Sequence, residues 1–330
     1  MVPIRNSRQR CSVDYYYNDL FFSLVCYRNN LFTSNDPEKI IEFYNGFENS
    51  DQLIQWMKER PKGVTYIHEV VGYKDIVVVI PTADFEGKYA KTCREKIFNG
   101  LHMIFVESGE NPDPYFNYAH NCNVGIKKAI EYNPKWVVVS NDDIETENIQ
   151  KLISVLQNAT GNYYVPKNTR SNTENQAFSV PRLLFALYAL YRLKKDGLQK
   201  YILTIKTRNI RIFRGNFTIF SRTYGLFFKL LLIFATPISS SFKNFYDFGI
   251  FNTNVLREDL YDETFINGNE DFELCNRLAN HGVTAKTLDF VVDSLKGGGN
   301  TLGKGESLPR GLRDLSTRFY LTYIWTHSAS

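Results

Sequence analysis

Three short runs of apolar, mostly β-branched residues constrain the fold more than any other feature of the sequence. They are DIVVVIPTAD, which begins at Asp75, HMIFV at 102–106 and PKWVVVS at 134–140. Such runs are typical of strands that are buried on both faces of a sheet. Two stretches with helical periodicity, KYAKTCREKIFNG and YFNYAHNCNVGIKKAIEYN, lie between them. The order strand, helix, strand, helix, strand predicts an α/β fold with a parallel sheet.

Polar residues follow each predicted strand at its carboxyl end, which is the edge where open α/β sheets bind ligands. Thr82 and Asp84 follow the first strand, Glu107 follows the second, and the adjacent carboxylates Asp142 and Asp143 follow the third. Carboxylates at a strand end suit Mg²⁺ or Mn²⁺, which keep coordination positions open for substrate phosphates. The same residues would also suit a polar turn or the N-cap of the next helix.

A second acidic pair, Glu270 and Asp271, begins a segment that reads as an amphipathic helix ending before Gly282. Acidic residues in a first turn complement the helix dipole, and this alone would explain the pair. The pair would equally suit a general base held in a fixed position by its helix.

Several nucleotide-binding and catalytic motifs are absent from the sequence. It contains no GxGxxG between a strand and a helix, no GxxxxGK[ST], no GxSxG and no HExxH. A dinucleotide-binding Rossmann unit and a P-loop are therefore excluded. An α/β sheet without a glycine-rich phosphate loop can bind a nucleotide diphosphate through a metal ion instead.

The ordered set VVVIPTADF, IFVESG, NCNVGIKKA, VVVSNDDIE and FINGNEDFELCNRL resembles glycosyltransferase family 2 of the GT-A fold, over about residues 74–300. The resemblance implies a Rossmann-like, mainly parallel sheet flanked by helices, and an inverting transferase that uses a nucleotide-sugar donor and Mn²⁺ or Mg²⁺. It assigns the metal to Asp143 with Asp142, and the base to the pair Asp271 and Glu270, with Asp271 favoured. The donor-binding residues that it implies are Pro81, Thr82, Asp84, Glu107, Asn123 and Asp142.

Three features qualify this resemblance. Asn123 and Gly125 match an Asn-x-Gly motif of the family, but close helix packing would explain the glycine equally well. Many members carry a histidine before a glycine-rich loop, where this chain offers Asp293 and Lys296. The separation between Asp143 and Asp271 also exceeds that of a minimal member.

The excess length lies in a basic, aromatic segment at 180–236. It holds eleven basic residues, one acidic residue and eleven aromatic residues. Cations that flank apolar faces are typical of interfacial helices, and they favour peripheral contact with anionic membranes or a lipid-linked acceptor. A core helix whose Lys and Arg side chains reach outward is the alternative. Nucleic acid is not expected, because no binding motif accompanies the charge.

We expect an N-terminal, partly helical extension at 1–74, a glycosyltransferase domain at 75–300 and a C-terminal segment at 301–330. The domain divides into a nucleotide-binding half at 75–165, the insertion at 166–248 and an acceptor half at 249–300. The five scattered cysteines and the lack of an apolar run after the N-terminus favour a cytoplasmic protein, with peripheral contact on the inner face of the membrane.

The sequence thus predicts a metal-dependent inverting glycosyltransferase that moves a sugar from a nucleotide-sugar to a hydroxyl of a glycan, glycolipid or protein-linked sugar. A sugar-phosphate nucleotidyltransferase is an alternative, although IPTADFEGKYA lacks the dense Gly, Arg and Lys of its first loop. A non-catalytic nucleotide- or carbohydrate-binding protein of the same fold is another.

Overall fold

A mixed sheet of eight strands forms the centre of the α/β fold. The computed structural model describes residues 19–109, 113–167, 174–176, 241–243, 247–258, 260–295 and 307–327. The strands of the large sheet are β1 (Thr65–Val70), β2 (Tyr73–Thr82), β3 (Leu101–Ser108), β4 (Trp136–Ser140), β5 (Ile144–Thr146), β6 (Tyr163–Lys167), β9 (Phe248–Asn252) and β10 (Lys286–Ser294), in the order β1-β3-β2-β4-β9-β6-β10-β5. A separate hairpin pairs β7 (Glu174–Gln176) with β8 (Ser241–Lys243).

The three strands predicted from the apolar runs are confirmed. Strand β2 pairs in parallel with β3 on one side and with β4 on the other. Successive side chains of a strand point to opposite faces. Val77 and Val79 accordingly enter one core and Val78 and Ile80 the other, all fully buried. Two helical segments connect these strands: α4 (Lys88–Thr92), which continues into a π-helical turn at Cys93–Ile97, and α5 (Tyr118–Ile130).

The expectation of a mainly parallel sheet is not confirmed. Strand β9 lies between β4 and β6 and is antiparallel to both. Both edge strands, β1 and β5, also pair in the antiparallel sense, with β3 and β10. Beyond the β3-β2-β4 group, the described sheet is parallel only between β6 and β10. The sheet is mixed because strands from the first 74 residues and from the chain after residue 240 join the predicted parallel group.

The described helices of the N-terminal extension pack on one face of this sheet. They are α1 (Asp19–Phe32), α2 (Pro37–Asn45) and α3 (Ser50–Glu59). Phe32, Phe43 and Trp56 form a buried aromatic cluster with ring centroids 4.6–5.3 Å apart. This cluster belongs to the same core as Val77 and Val79 of the sheet.

Three more helices complete this layer. They are α7 (Thr253–Glu258), α8 (Glu270–Asn280) and the C-terminal α9 (Ser307–His327). The predicted helix at Glu270 is confirmed, and Gly282 follows it with a φ of 78°. The C-terminal helix is tied to α2 because the hydroxyl of Tyr44 donates to the carbonyl of Leu312 at 2.7 Å. The opposite face of the sheet is covered by α4, the π-helical turn and α6 (Ile149–Gln157).

The predicted basic, aromatic segment at 180–236 lies outside the described residues, as does Lys296. Among the helices that the structure describes, none combines the length and the apolar character needed to cross a membrane.

Candidate functional site

The predicted strand-end residues Thr82 and Asp142 meet at the carboxyl edge of β2 and β4. The hydroxyl of Thr82 donates to Oδ2 of Asp142 at 2.7 Å. Cys93, in the π-helical turn, donates from Sγ to the main-chain carbonyl of Asp142 at 3.3 Å. Burial raises the pKa of the Asp142 carboxyl, and the hydrogen bond from Thr82 opposes that rise. Asp142 is therefore held in one orientation by two neighbouring elements.

Asp143 lies next to the end of β10. Its carbonyl accepts from the amide of Leu295 at 2.8 Å, and its side chain is partly exposed. Asp293 pairs with Glu145 across β10 and β5, so the chain before Lys296 passes beside the acidic pair. No cluster of three or more His, Cys, Asp or Glu side chains suited to a metal ion occurs within the described ranges.

Asn141, the residue before the acidic pair, joins two residues that the sequence did not point to. Its side-chain amide donates to Oδ1 of Asp247 at 2.8 Å, and its Oδ1 accepts from the hydroxyl of Tyr118 at 2.7 Å. Burial raises the pKa of Asp247. A third carboxylate thus lies at this edge of the sheet, connected to Tyr118 through Asn141.

The second acidic pair begins α8 directly after an unusual turn. Gly268 and Asn269 both have positive φ, 106° and 68°, and the asparagine is the N-cap position of the helix. A left-handed conformation is uncommon outside glycine and is concentrated at functional sites. The turn is fixed to α9 because Asn269 donates from Nδ2 to the hydroxyl of Thr317 at 3.2 Å.

The two members of this pair have different environments. Glu270 is only 6% exposed, and its Oε2 has no hydrogen-bond partner among the described residues. Burial, with the neighbouring charge of Asp271, raises the pKa of Glu270 to about 8. Asp271 remains partly exposed, and its Oδ1 accepts from the amide of Phe272 at 2.8 Å. At neutral pH Glu270 is mostly protonated.

Tyr118 connects the two acidic pairs. Its hydroxyl donates to Asn141, next to Asp142, and its amide donates to the carbonyl of Ile266, in the turn before Glu270. Burial raises the pKa of Tyr118 well above its usual value, and the charges of Glu270 and Asp271 raise it further. Tyr118 thus contacts the residue next to the first pair and lies within electrostatic range of the second, although more than a hundred residues separate the two pairs in the chain.

Glu107 lies opposite Thr82 in the pairing of β2 with β3, but its carboxylate is already engaged. Oε2 is 2.6 Å from Nε2 of His68, and Oε1 accepts from the amide of Phe85 at 3.0 Å. The Phe85 ring stacks on His68 with centroids 4.2 Å apart, and the guanidinium of Arg94 lies 4.3 Å from the same ring. This stack, which the sequence did not reveal, fixes the loop after β2.

Asp84 and Pro81, the remaining residues predicted at the end of β2, differ in accessibility. Asp84 is exposed and accepts from the amide of Glu86 at 3.0 Å, which shapes the loop that carries Phe85. Pro81 is buried within β2 opposite Val106. Of the two, only Asp84 has a side chain that is open to a ligand.

Asn123 is occupied by the chain itself. Its Nδ2 donates to the carbonyl of Tyr261 and to Oε1 of Glu263, at 2.9 and 3.0 Å, and its Oδ1 accepts from the amide of Tyr261 at 3.0 Å. Asn117, at the N-cap of α5, donates to the carbonyls of Glu263 and Phe265. These two asparagines hold the loop at 261–266, and with it the turn before Glu270, against α5.

A scan against protein-family models and a search of curated proteins both find no match to this chain.

Proposed function

We propose that the chain is a metal-dependent inverting glycosyltransferase of the GT-A type, as its resemblance to family 2 implies. The observation that carries this proposal is that Tyr118 donates to Asn141, the residue before the first acidic pair, and lies within electrostatic range of the second pair. An inverting transfer requires a donor-binding group and a base on opposite sides of the reacting carbon. A carboxylate pair at a strand end and another at a helix start would supply these two groups.

On the donor side, the proposed ligands lie at the carboxyl ends of β2, β3 and β4. Asp143 would hold a divalent cation, since Mg²⁺ is usually bound by one or two carboxylates together with substrate phosphates. The cation, when bound, neutralises charge on the departing nucleotide diphosphate. Thr82 orients the Asp142 carboxylate through the 2.7 Å hydrogen bond. Asp142 would then assist Asp143 in holding the cation. Asp84 would face the nucleoside, and Glu107, which accepts from the amide of Phe85, would position the loop beside it.

On the acceptor side, Asp271 is the proposed base. It is partly exposed, whereas Glu270 is buried and its burial raises its pKa to about 8, which disfavours the charged form that a base needs. The attacking hydroxyl would transfer its proton to Asp271 as its oxygen bonds to the anomeric carbon. The bond from that carbon to the diphosphate breaks in the same step, and one displacement inverts the centre. Glu270 would keep the turn at Gly268 in place.

The other parts of the proposal concern location. We place the protein in the cytoplasm, in peripheral contact with the inner face of the membrane through residues at 180–236. The acceptor would then be a glycan or a lipid-linked sugar at that surface. This part is supported by the charge of the segment alone.

The test is a panel of nucleotide-sugars with Mn²⁺ or Mg²⁺, scored by release of nucleoside diphosphate. Asp271→Asn should retain nucleotide binding and lose transfer by roughly 10²-fold or more, because only the proton acceptor is removed. Glu270→Gln should be milder, since glutamine resembles the protonated acid. Asp289→Asn, which changes an exposed carboxylate paired with Lys167, is the matched control.

Three results would contradict parts of the proposal. Nucleotide binding without any turnover would favour a non-catalytic binding protein. Activity that survives in Asp271→Asn but is lost in Glu270→Gln would reverse the two roles. Equal nucleotide affinity with a chelator and with Mn²⁺ would exclude the metal from donor binding.

A further inference from the structure

A small pocket lies between the C-terminal helix and the turn that precedes the second acidic pair. Ile266 and Asn267 line it from the turn, and Phe32 lines it from α1. Arg310, Arg313, Asp314 and Thr317 line it from α9. Its charged side chains all come from α9, a segment to which the sequence assigned no role.

The pocket is adjacent to the proposed base. Thr317 accepts a hydrogen bond from Asn269, the residue immediately before Glu270. The carboxylate of Asp314 is near enough to contribute to the raised pKa of Glu270. On the other side, the carbonyl of Ile266 accepts from the amide of Tyr118, whose hydroxyl reaches Asn141. The pocket wall is therefore connected to both acidic pairs.

Two arginines, Arg310 and Arg313, supply the positive charge of the pocket. Arg310 is exposed, and the structure gives it no hydrogen bond or ion pair among the described residues. Arg313 is only 4% exposed and donates from Nη1 to the carbonyl of Ser34 at 2.9 Å, which fixes its guanidinium in place. Both arginines line the pocket, and the pKa of Arg313 is lowered by burial and, to a lesser extent, by the charge of Arg310. Asp314 offsets one of the two charges.

We infer that this pocket binds a phosphate group on the acceptor. A carboxylate has two oxygens and is matched by one guanidinium, whereas a phosphate has enough oxygens to accept from both arginines. This inference rests on the proposed function, because it is that function which makes the adjoining pair the site of transfer.

The test measures binding of phosphate esters to the full-length chain at low ionic strength, where charge-assisted contacts are least screened. Glycerol phosphate is the soluble probe, and glycerol and acetate are the comparison ligands. Vesicles of neutral lipid with and without phosphatidic acid show whether the phosphate must be on a lipid. We expect glycerol phosphate to bind more tightly than either comparison ligand, and Arg310→Gln to weaken it about tenfold. Arg257→Gln, which removes an exposed arginine on α7, should have no effect.

Arg313→Lys is the second variant, and its thermal unfolding is measured in parallel because Arg313 also holds Ser34. Phosphate affinity that is unchanged in both arginine variants, with the fold intact, would overturn the inference. Competition between a nucleoside diphosphate and glycerol phosphate would also overturn it, since the pocket would then belong to the donor. Nucleotide binding without phosphate binding defeats only this inference. Phosphate binding that depends on Arg310 in a chain that binds no nucleotide defeats only the proposed function.

Discussion

Gly125 lies where α5 crosses the buried sheet, and replacing it with alanine tests how tightly this contact is packed. A Cβ at this position would lie 2.3 Å from Cγ1 of Val79 and 2.9 Å from Cγ2 of Val106. Ordinary contacts between carbon atoms are about 3.5–4.0 Å, so the helix and β2 would have to separate by more than about 1 Å. Both valines are fully buried, and β-branched side chains have little rotational freedom.

The expected change in the free energy of unfolding is the difference between two opposing effects, overpacking of the core and the higher helix propensity of alanine. Overpacking a close-packed core costs about 1–3 kcal/mol, and the rigid neighbours place this site near the upper end. Alanine in a helix interior is favoured over glycine by about 1 kcal/mol. We therefore expect Gly125→Ala to lower the free energy of unfolding by about 1–2 kcal/mol, measured by urea denaturation.

A double-mutant cycle shows whether the clash causes this loss. Val79→Ala removes the atom nearest to the new methyl group, so Gly125→Ala should cost about 1 kcal/mol less in that background. A cost that is the same in both backgrounds would refute the packing argument, as would a Gly125→Ala variant as stable as the wild type.

Three further predictions concern buried polar groups. Asn123→Ala should destabilise the protein by about 2 kcal/mol in chemical denaturation, since it leaves the amide of Tyr261 without its partner; a neutral effect would mean that the loop is held by other contacts. Arg60→Lys should lower the free energy of unfolding by about 3 kcal/mol. The buried guanidinium donates to Asn29 and to the carbonyls of Pro114 and Phe116, and lysine cannot make all of these bonds. A variant with the melting temperature of the wild type would contradict this. Burial lowers the pKa of His102, which faces Glu69, Lys74, Lys128 and Tyr132. The unfolded chain therefore gains the proton first, and stability should fall as pH drops below about 6.5. His102→Leu should flatten this dependence in acid unfolding curves, and an unchanged slope would exclude His102 as its source.

The parallel part of the sheet could be predicted because β2, β3 and β4 are nearly continuous apolar runs, and a strand buried on both faces allows little else. Strands β1 and β9 could not be predicted in the same way. TYIHEV carries polar residues at an exposed edge, and FGIFN is short and contains a glycine. Their pairing is decided by partners far away in sequence. This is why the sheet is mixed and not mainly parallel.

The same reasoning explains why some residues of the candidate site could be predicted from the sequence and others could not. Thr82 and Asp142 meet as expected, because the ends of neighbouring parallel strands share an edge. Asp247 was missed because it precedes its strand, and only the antiparallel direction of β9 brings a strand start to that edge. Tyr118 has the spacing of an apolar core residue, and its hydroxyl interaction cannot be read from that spacing.

The position of β9 also bears on how the chain folds during synthesis. Strand β4 is made early, yet its partner β9 is synthesised more than a hundred residues later. Chains emerge from the ribosome amino end first, so the hydrogen-bonding edge of β4 remains open while the intervening segment is made. An open apolar edge is a template for pairing with other chains. The nascent protein should therefore depend on chaperones most strongly before residue 252 emerges. Because the entropy of closing a loop rises only slowly with its length, changes in the length of the intervening segment should alter the duration of this exposure far more than the final stability.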